Sequence, residues 1–311
     1  MEHNWKDILL PAYEIRKSKA EKQAFIDLLS KEYGDRMHVE EGGSLVKSRN
    51  IVLGSPETAK TVYTAHYDTC ARLPIPNFIT PKNIFLYLLY QVGIALLFVI
   101  PAFALEILAG YLTRNAGPLV SLLAAEGTLI LVLVLFVWVF LIGVPNPHTA
   151  NDNTSGVVTV LTLADRLADD PDAAFILFDN EEVGLLGSMA YAAAHPDVKK
   201  NTMIVNFDCV SDGDHFLVLF SKEAEKRPFY EDLCAKAPAV FEGTGKDIDV
   251  LPKRGTIYPS DQANFKVSAA VCALNRSPVV GLYMNKIHTP KDTVFDEENI
   301  ALLLDVFAPR A

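Results

Sequence analysis

Two long apolar stretches without a formal charge constrain the fold of this chain more than any other feature of its sequence. They are Ile84–Leu105 and Gly127–Val144, and each is long and apolar enough to cross a bilayer as a helix. Because the short polar segment Thr113–Gly117 separates them, the pattern predicts a hydrophobic helical hairpin. Soluble proteins rarely expose so much continuous apolar surface, so something must cover it.

We expect a lipid bilayer to cover residues 84–144, and the alternatives are a partner subunit or packing as a lid over a site. Glu106 and Glu126 mark the turn-side ends of the two apolar segments, where charges belong if the turn emerges into water. Arg114 in the turn and Lys82 on the opposite side give the positive-inside rule too little to fix an orientation.

The hairpin interrupts a predicted α/β catalytic domain. We assign residues 1–82 and 146–311 to that domain and residues 83–145 to the insertion. Both ends of the hairpin must therefore return to the same domain, on one side of any membrane.

Short, continuous apolar runs predict the buried strands of this domain, and helical patterns follow two of its candidate site motifs. The predicted strands are Thr61–Ala65, Ala173–Phe178 and Met203–Phe207, and the predicted helices are Thr154–Ala168 and Leu185–Ala194. This alternation predicts a mixed, mostly parallel central sheet flanked by helices.

The net charge and the cysteine usage limit the kinds of binding partner and the cellular compartment that we expect. A formal net charge of −10 argues against a nucleic-acid partner. The four cysteines show no disulfide spacing, and the first residues lack the apolar segment of a signal peptide. We therefore expect a membrane-associated protein with a cytoplasmic catalytic domain. Cys70 and Cys209 are interpreted as small apolar residues.

Polar side chains follow the ends of the three predicted strands. His66 and Asp68 follow the first strand, Glu181 and Glu182 the second, and Asp208 the third. Open α/β sheets bind ligands at this edge, so we expect these side chains to converge. Adjacent carboxylates beside a buried strand are costly unless a cation or a proton compensates them.

Asp152 in HTANDNTSG and His288 in MNKIHTPKDT complete a candidate metal set. Asp152 has a competing role as a helix cap, although Asn153 and Ser155 are rival caps. Two histidines, two aspartates and one glutamate suit Zn²⁺ and, less well, Mn²⁺ or Co²⁺.

The motifs HYDT, NDNTSG, NEEVGLLGS, NFD and IHTPKDT, in this order, resemble the di-zinc aminopeptidases and their relatives. Those relatives include glutaminyl cyclases, glutamate carboxypeptidases and the catalytically inactive transferrin-receptor domain. The resemblance covers residues of about 36–82 and 146–300. It implies a zinc-exopeptidase fold of the phosphorylase/hydrolase-like kind.

The resemblance also implies a ligand set for two zinc ions per chain. His66 and Asp208 would bind one ion, Glu182 and His288 would bind the other, and Asp152 would bridge both.

The resemblance further implies that Glu181 is the general base for a water activated between the two ions. Asp68 would hydrogen-bond the far nitrogen of His66 and fix its orientation. Some relatives place a tyrosine just before the last metal histidine, where this chain has Ile287. We consider Tyr258 a substitute from another loop.

These implications predict a metal-dependent aminopeptidase that hydrolyses peptides from their N-terminus. A glutaminyl-cyclase-type acyltransferase with one zinc ion is the first alternative. The second is a non-catalytic membrane receptor or scaffold on the same fold. The complete ligand set and the ending HTPKDT favour the hydrolase.

Overall fold

The computed structural model describes residues 3–308, so residues 1–2 and 309–311 of the predicted catalytic domain lie outside it. The helices are α1 (Trp5–Ala12), α2 (Lys19–Tyr33), α3 (Ile84–Thr113), α4 (Pro118–Val137), α5 (Gly156–Arg166), α6 (Leu186–Ala194), α7 (Pro196–Asn201), α8 (Pro228–Phe241) and α9 (Glu297–Phe307). The strands are β1 (Met37–Gly42), β2 (Ser48–Leu53), β3 (Thr61–His66), β4 (Ala173–Phe178), β5 (Met203–Phe207), β6 (His215–Phe220), β7 (Asp247–Pro252), β8 (Ser268–Ser277) and β9 (Gly281–Tyr283).

One mixed sheet organises the residues outside the hairpin, in the strand order β1-β2-β4-β3-β5-β8-β6-β7, with β9 paired to β8. The four central strands, from β4 to β8, are parallel to one another. The β6–β7 pair is also parallel, whereas the remaining pairings are antiparallel. The predicted α/β fold with a mixed sheet flanked by helices is therefore confirmed.

Helices cover both faces of the sheet, which explains why the central strands carry apolar side chains on both faces. Tyr63 and Ala65 of β3 pack into the cluster that holds α1, α2, α5, α8 and α9. Val62, on the opposite face of the same strand, packs with Tyr191 of α6 and Val198 of α7. Parallel strands buried in this way require apolar residues at both odd and even positions, because these positions face opposite sides of the sheet.

The register of the central strands aligns their carboxyl ends. His66, the last residue of β3, pairs with Phe178, the last residue of β4. Thr64 of β3 pairs with Asn206, one residue before β5 ends. The loops that follow these three strands consequently meet at one edge of the sheet.

The predicted hairpin is present as α3 and α4, joined by a tight turn at residues 114–117. Its two spans, Ile84–Ala116 and Pro118–Ile142, are 33 and 25 residues long and only 6% and 0% buried in their most apolar windows. The helices continue past the predicted apolar segments, so Glu106 and Glu126 lie about two turns inside them. A short π-helical turn, Trp138–Ile142, ends the second span.

The root of the hairpin is bonded to the α/β part of the chain. Lys17 Nζ donates to the Leu141 carbonyl at 2.9 Å, and the Arg72 amide donates to the Val144 carbonyl at 2.8 Å. The Asn83 side chain caps the start of α3. These contacts fix the hairpin beside the loop that follows β3.

Candidate metal centre

His66 lies at the centre of the first cluster of candidate ligands. The strand β3 delivers this imidazole fully buried at the sheet edge. Its Nε2 lies 3.3 Å from Asp152 Oδ1 and 3.6 Å from Asp208 Oδ1. Asp152 comes from the irregular turn Ala150–Ser155 before α5, and Asp208 directly follows β5.

His288 forms a second cluster on the other side of the same aspartate. Its Nε2 lies 3.1 Å from Asp152 Oδ2 and 3.3 Å from Glu182 Oε2. Asp152 therefore turns one carboxylate oxygen toward each imidazole. The buried Glu182 Oε1 has no hydrogen-bond partner among the described residues. An oxygen in this position is available as a ligand.

The chemistry and spacing of these side chains fit a zinc site. Potential ligand atoms of His66, Asp152 and Asp208 lie within 4.8 Å of one another, and so do those of Cys70, Glu182 and His288. A mixed set of imidazole, carboxylate and thiol groups suits zinc. Gathering several carboxylates in a desolvated pocket is unfavourable without a compensating cation.

Asp68 connects the end of β3 to the glutamate pair, although not through the hydrogen bond that we expected. His66 Nδ1 lies 3.1 Å from the backbone oxygen of Asp68 and 3.6 Å from its carboxylate. The carboxylate instead accepts the amide N–H of Glu181 at 3.0 Å and that of Glu182 at 3.2 Å. Asp68 thus positions the backbone that carries both glutamates, and its carbonyl orients the imidazole.

The electrostatics of the pocket favour a bound cation. Burial raises the pKa of Glu181 well above its usual range, and the charges of Glu182, Asp208 and Asp261 add to the effect while His66 opposes it. Burial and the nearby Asp152 likewise raise the pKa of Glu182. Each of these carboxylates repels the others, and a divalent cation among them would remove that repulsion.

Asp292 holds the Asp152 turn and was missed by the sequence reasoning. Its two carboxylate oxygens accept the amide N–H groups of Asn151 at 2.9 Å and Asp152 at 3.0 Å. Burial and the charge of Asp152 raise the pKa of Asp292 to about 7. The available signal was its place in the motif IHTPKDT, four residues after His288.

Arg16 is a second supporting residue that the sequence reasoning missed. This fully buried guanidinium donates to the Tyr67 carbonyl at 2.6 Å and to Thr154 Oγ1 at 3.2 Å. Burial lowers its pKa to about 10. The segment between α1 and α2 thereby ties the end of β3 to the turn that carries Asp152.

Tyr258 does not present a free hydroxyl to the site. Its phenol is buried and donates to the backbone oxygen of Asp208 at 2.9 Å. The proton that we expected to serve an oxyanion is therefore used to hold the Asp208 backbone. Ser260 and Asp261, from the same loop, begin a short helical turn, and Ser260 Oγ accepts from Asn206 at 2.9 Å.

Comparisons with known proteins identify the family of this chain. The sequence profile of Peptidase family M28 matches residues 141–306, more than half of the chain. The chain belongs to peptidase family M28. The matched segment contains Asp152, Glu181, Glu182, Asp208 and His288. Membership confirms the resemblance to the zinc aminopeptidase and glutaminyl cyclase superfamily and supports a metal-dependent, peptidase-like function.

Solved structures share the fold at low sequence identity. The glutaminyl cyclase of Tannerella forsythia is 16% identical, with a TM-score of 0.57 over 99% of this chain and 97% of its own. The glutaminyl cyclase of Porphyromonas gingivalis is 15% identical, with a TM-score of 0.56 over 97% and 93%. The LapA aminopeptidase of Legionella pneumophila is 14% identical, with a TM-score of 0.50 over 97% of this chain.

The chain spans 65% of the length of that LapA structure. No curated protein sequence matches the chain. Since both cyclases and an aminopeptidase share this fold, the fold does not distinguish between the two reactions.

Proposed function

We propose that this chain is a metal-dependent aminopeptidase that uses two zinc ions to hydrolyse the N-terminal peptide bond of its substrates. The observation that carries the proposal is the position of Asp152, with one carboxylate oxygen near His66 Nε2 and the other near His288 Nε2. A carboxylate with one oxygen facing each of two imidazole-containing clusters could bridge two metal ions, as in a two-metal hydrolytic site.

In this proposal the two clusters act as two ligand sets. His66 and Asp208 hold one ion, Glu182 and His288 hold the other, and Asp152 contributes to both. Mn²⁺ or Co²⁺ could substitute, but nitrogen-containing sites of this kind favour zinc. The unpartnered Glu182 Oε1 supports a ligand role for that residue.

Glu181 is the proposed general base and general acid. Bound zinc would polarise the scissile carbonyl and lower the pKa of water at the site. Glu181 would accept a proton from the attacking water and deliver it to the leaving amine. Asp68 would keep Glu181 in place through its amide, and the pocket's negative charge would attract the substrate's free amino group.

The test is the release of free amino acids from short peptides by the purified full-length protein. We expect turnover that a chelator abolishes and that zinc restores. No release of an N-terminal amino acid from a varied peptide panel, with zinc bound, would rule out the aminopeptidase.

A glutaminyl cyclase is the second candidate, because cyclases share this fold. The two bacterial cyclase structures are matched over 97% and 93% of their own lengths. A peptide with N-terminal glutamine separates the two reactions. The cyclase would release ammonia and leave a pyroglutamyl peptide, whereas the aminopeptidase would release glutamine. One zinc ion per chain would also favour the cyclase.

We further propose that residues 83–145 form a membrane-inserted hairpin and that the rest of the chain forms one catalytic domain. The low burial of both spans, 6% and 0%, argues against a role as core helices. All four cysteines are free thiols, as expected in a reducing compartment, and we therefore propose that the catalytic domain faces the cytoplasm. We expect the protein to stay bound to membranes in high salt and to be released by detergent. A soluble dimer that buries the hairpin would contradict it.

A further inference from the structure

Cys70 lies beside the second ligand cluster, where our interpretation as a small apolar residue does not account for its surroundings. Its Sγ lies within 4.8 Å of ligand atoms of both Glu182 and His288. The residue is fully buried. No hydrogen bond involving Cys70 Sγ is present among residues 3–308. Cys209 differs, because its Sγ donates to Asp208 Oδ1 at 3.1 Å.

The backbone holds Cys70 against the His288 segment. The Cys70 carbonyl accepts the Asn146 amide at 3.2 Å, and the amide of Leu73 donates to the His288 carbonyl at 2.9 Å. The loop after β3 and the loop before α9 are therefore bonded directly to one another. The fold therefore places the backbone of Cys70 beside the His288 segment.

A second, independent feature of the same place points to a ligand. Glu182 Oε1 is buried without a hydrogen-bond partner, and the Glu182 side chain is only 5% exposed. A buried carboxylate oxygen without a partner is unfavourable as a purely structural arrangement, and Glu182 carries it in the same cluster as Cys70. A cation between them would satisfy both groups.

We propose that Cys70 is a ligand of the second zinc position, together with Glu182 and His288. The thiol releases its proton to solvent when zinc binds, and a zinc–sulfur bond forms. A thiolate is a soft ligand that favours zinc over Mn²⁺. The position at Cys70 should therefore prefer zinc more strongly than the position at His66, whose ligands are only nitrogen and oxygen. The proposal rests on the metal site of the proposed function and extends it with a ligand that the motifs did not indicate.

X-ray absorption at the zinc edge of the zinc-loaded full-length protein tests the proposal. A sulfur neighbour at about 2.3 Å is expected in addition to nitrogen and oxygen neighbours at about 2.0–2.2 Å. The cobalt-loaded protein should show a thiolate-to-cobalt charge-transfer band in the near ultraviolet. Cys70→Ser should lose both signals, while Cys209→Ser, a matched buried thiol near the first cluster, should keep them.

A zinc-loaded wild type with only nitrogen and oxygen neighbours would overturn the proposal, and this result does not depend on whether Cys70→Ser folds. Signals that persist in Cys70→Ser and disappear in Cys209→Ser would also overturn it. Neither result would contradict the proposed hydrolysis of peptides. A sulfur signal in a protein that hydrolyses no peptide would instead reject the proposed function and keep the ligand.

Discussion

Glu181 and Glu182 are adjacent in sequence, but the structure gives them different surroundings. Glu182 Oε2 lies 3.3 Å from His288 Nε2, within the second ligand cluster. Ligand atoms of Glu181, Glu182 and His66 lie within 4.8 Å of one another, but of the two glutamates only Glu182 also belongs to the cluster with Cys70 and His288. We propose that this difference separates the ligand from the proton-transfer group.

Glu181→Gln should lower kcat by about 10²- to 10⁴-fold while zinc content stays unchanged, because the amide cannot exchange a proton with water. Steady-state kinetics and elemental analysis of the same preparation measure both quantities. The exposed pair Glu297 and Glu298 at the start of α9 provides the control, since glutamine at either position should leave kcat and zinc unchanged. Wild-type turnover in Glu181→Gln would refute the assignment.

Tyr258→Phe should lower stability by about 1 kcal/mol, because it removes a buried hydrogen bond to the Asp208 carbonyl. Denaturant unfolding measures this change. The fall in kcat is then compared with the fall that partial unfolding alone would cause. A far larger fall in kcat would show that the hydroxyl leaves the Asp208 backbone during turnover. That outcome would restore the oxyanion role that the sequence suggested.

The sequence identified the polar residues at the strand ends but not the residues that hold them. His66, Asp152 and Asp208 follow apolar runs or precede a helix, so local patterns expose them. Arg16 and Asp292 act through contacts with distant backbone groups. Such contacts produce no hydrophobic pattern, because they depend on which loops the fold brings together, and only the motif IHTPKDT marks Asp292.

At the scale of the elements, α2 is attached to the loop that carries the glutamate pair. Lys22 Nζ contacts Asp179 Oδ1 at 2.5 Å and Asn180 Oδ1 at 2.8 Å. The lysine and aspartate side chains are only 10% and 3% exposed. Asp179 directly follows β4, so this buried ion pair supports the start of the glutamate loop.

Lys22→Met should therefore destabilise the fold by about 3 kcal/mol, because it leaves the Asp179 carboxylate buried without its partner. Lys60→Met is the matched control. Lys60 pairs with Asp172 at the same 2.5 Å, but its side chain is 78% exposed, so its replacement should cost much less stability than Lys22→Met. Equal effects of the two substitutions on the free energy of unfolding would contradict the argument.

The central strands were predictable, whereas the edges of the sheet were not. β3, β4 and β5 are buried on both faces and therefore read as continuous apolar runs. β1 is largely exposed, and β9 has only three residues and depends on pairing with β8. Short edge strands depend on tertiary contacts more than on their own sequence.

At the scale of the whole molecule, the hairpin and the catalytic domain should be separable. Isolated bridges hold both flanks of the insertion in the domain, Ala71 with Pro145 and Ile79 with Met284. The sequence predicted the hairpin because its apolar stretches exceed what a small core can bury. It did not predict the extension of α3 to Thr113, since the charge of Glu106 ends the uncharged stretch.

Replacement of residues 84–142 by a short glycine–serine linker should give a protein that is soluble without detergent. It should retain zinc and the hydrolysis of soluble peptides, because the insertion contributes none of the candidate ligands. Fractionation, metal analysis and peptide assays measure these properties. A deletion variant that still sediments with membranes would reject the hairpin as the membrane anchor.

The central claim is that side chains from distant parts of the chain form one dinuclear zinc centre. A crystal structure of the zinc-loaded protein with anomalous data at the zinc edge tests it most directly. We predict two anomalous peaks on opposite sides of Asp152, one beside His66 and Asp208 and the other beside Glu182 and His288. A single peak would contradict the dinuclear centre, and no peak among these residues would contradict the metal site itself.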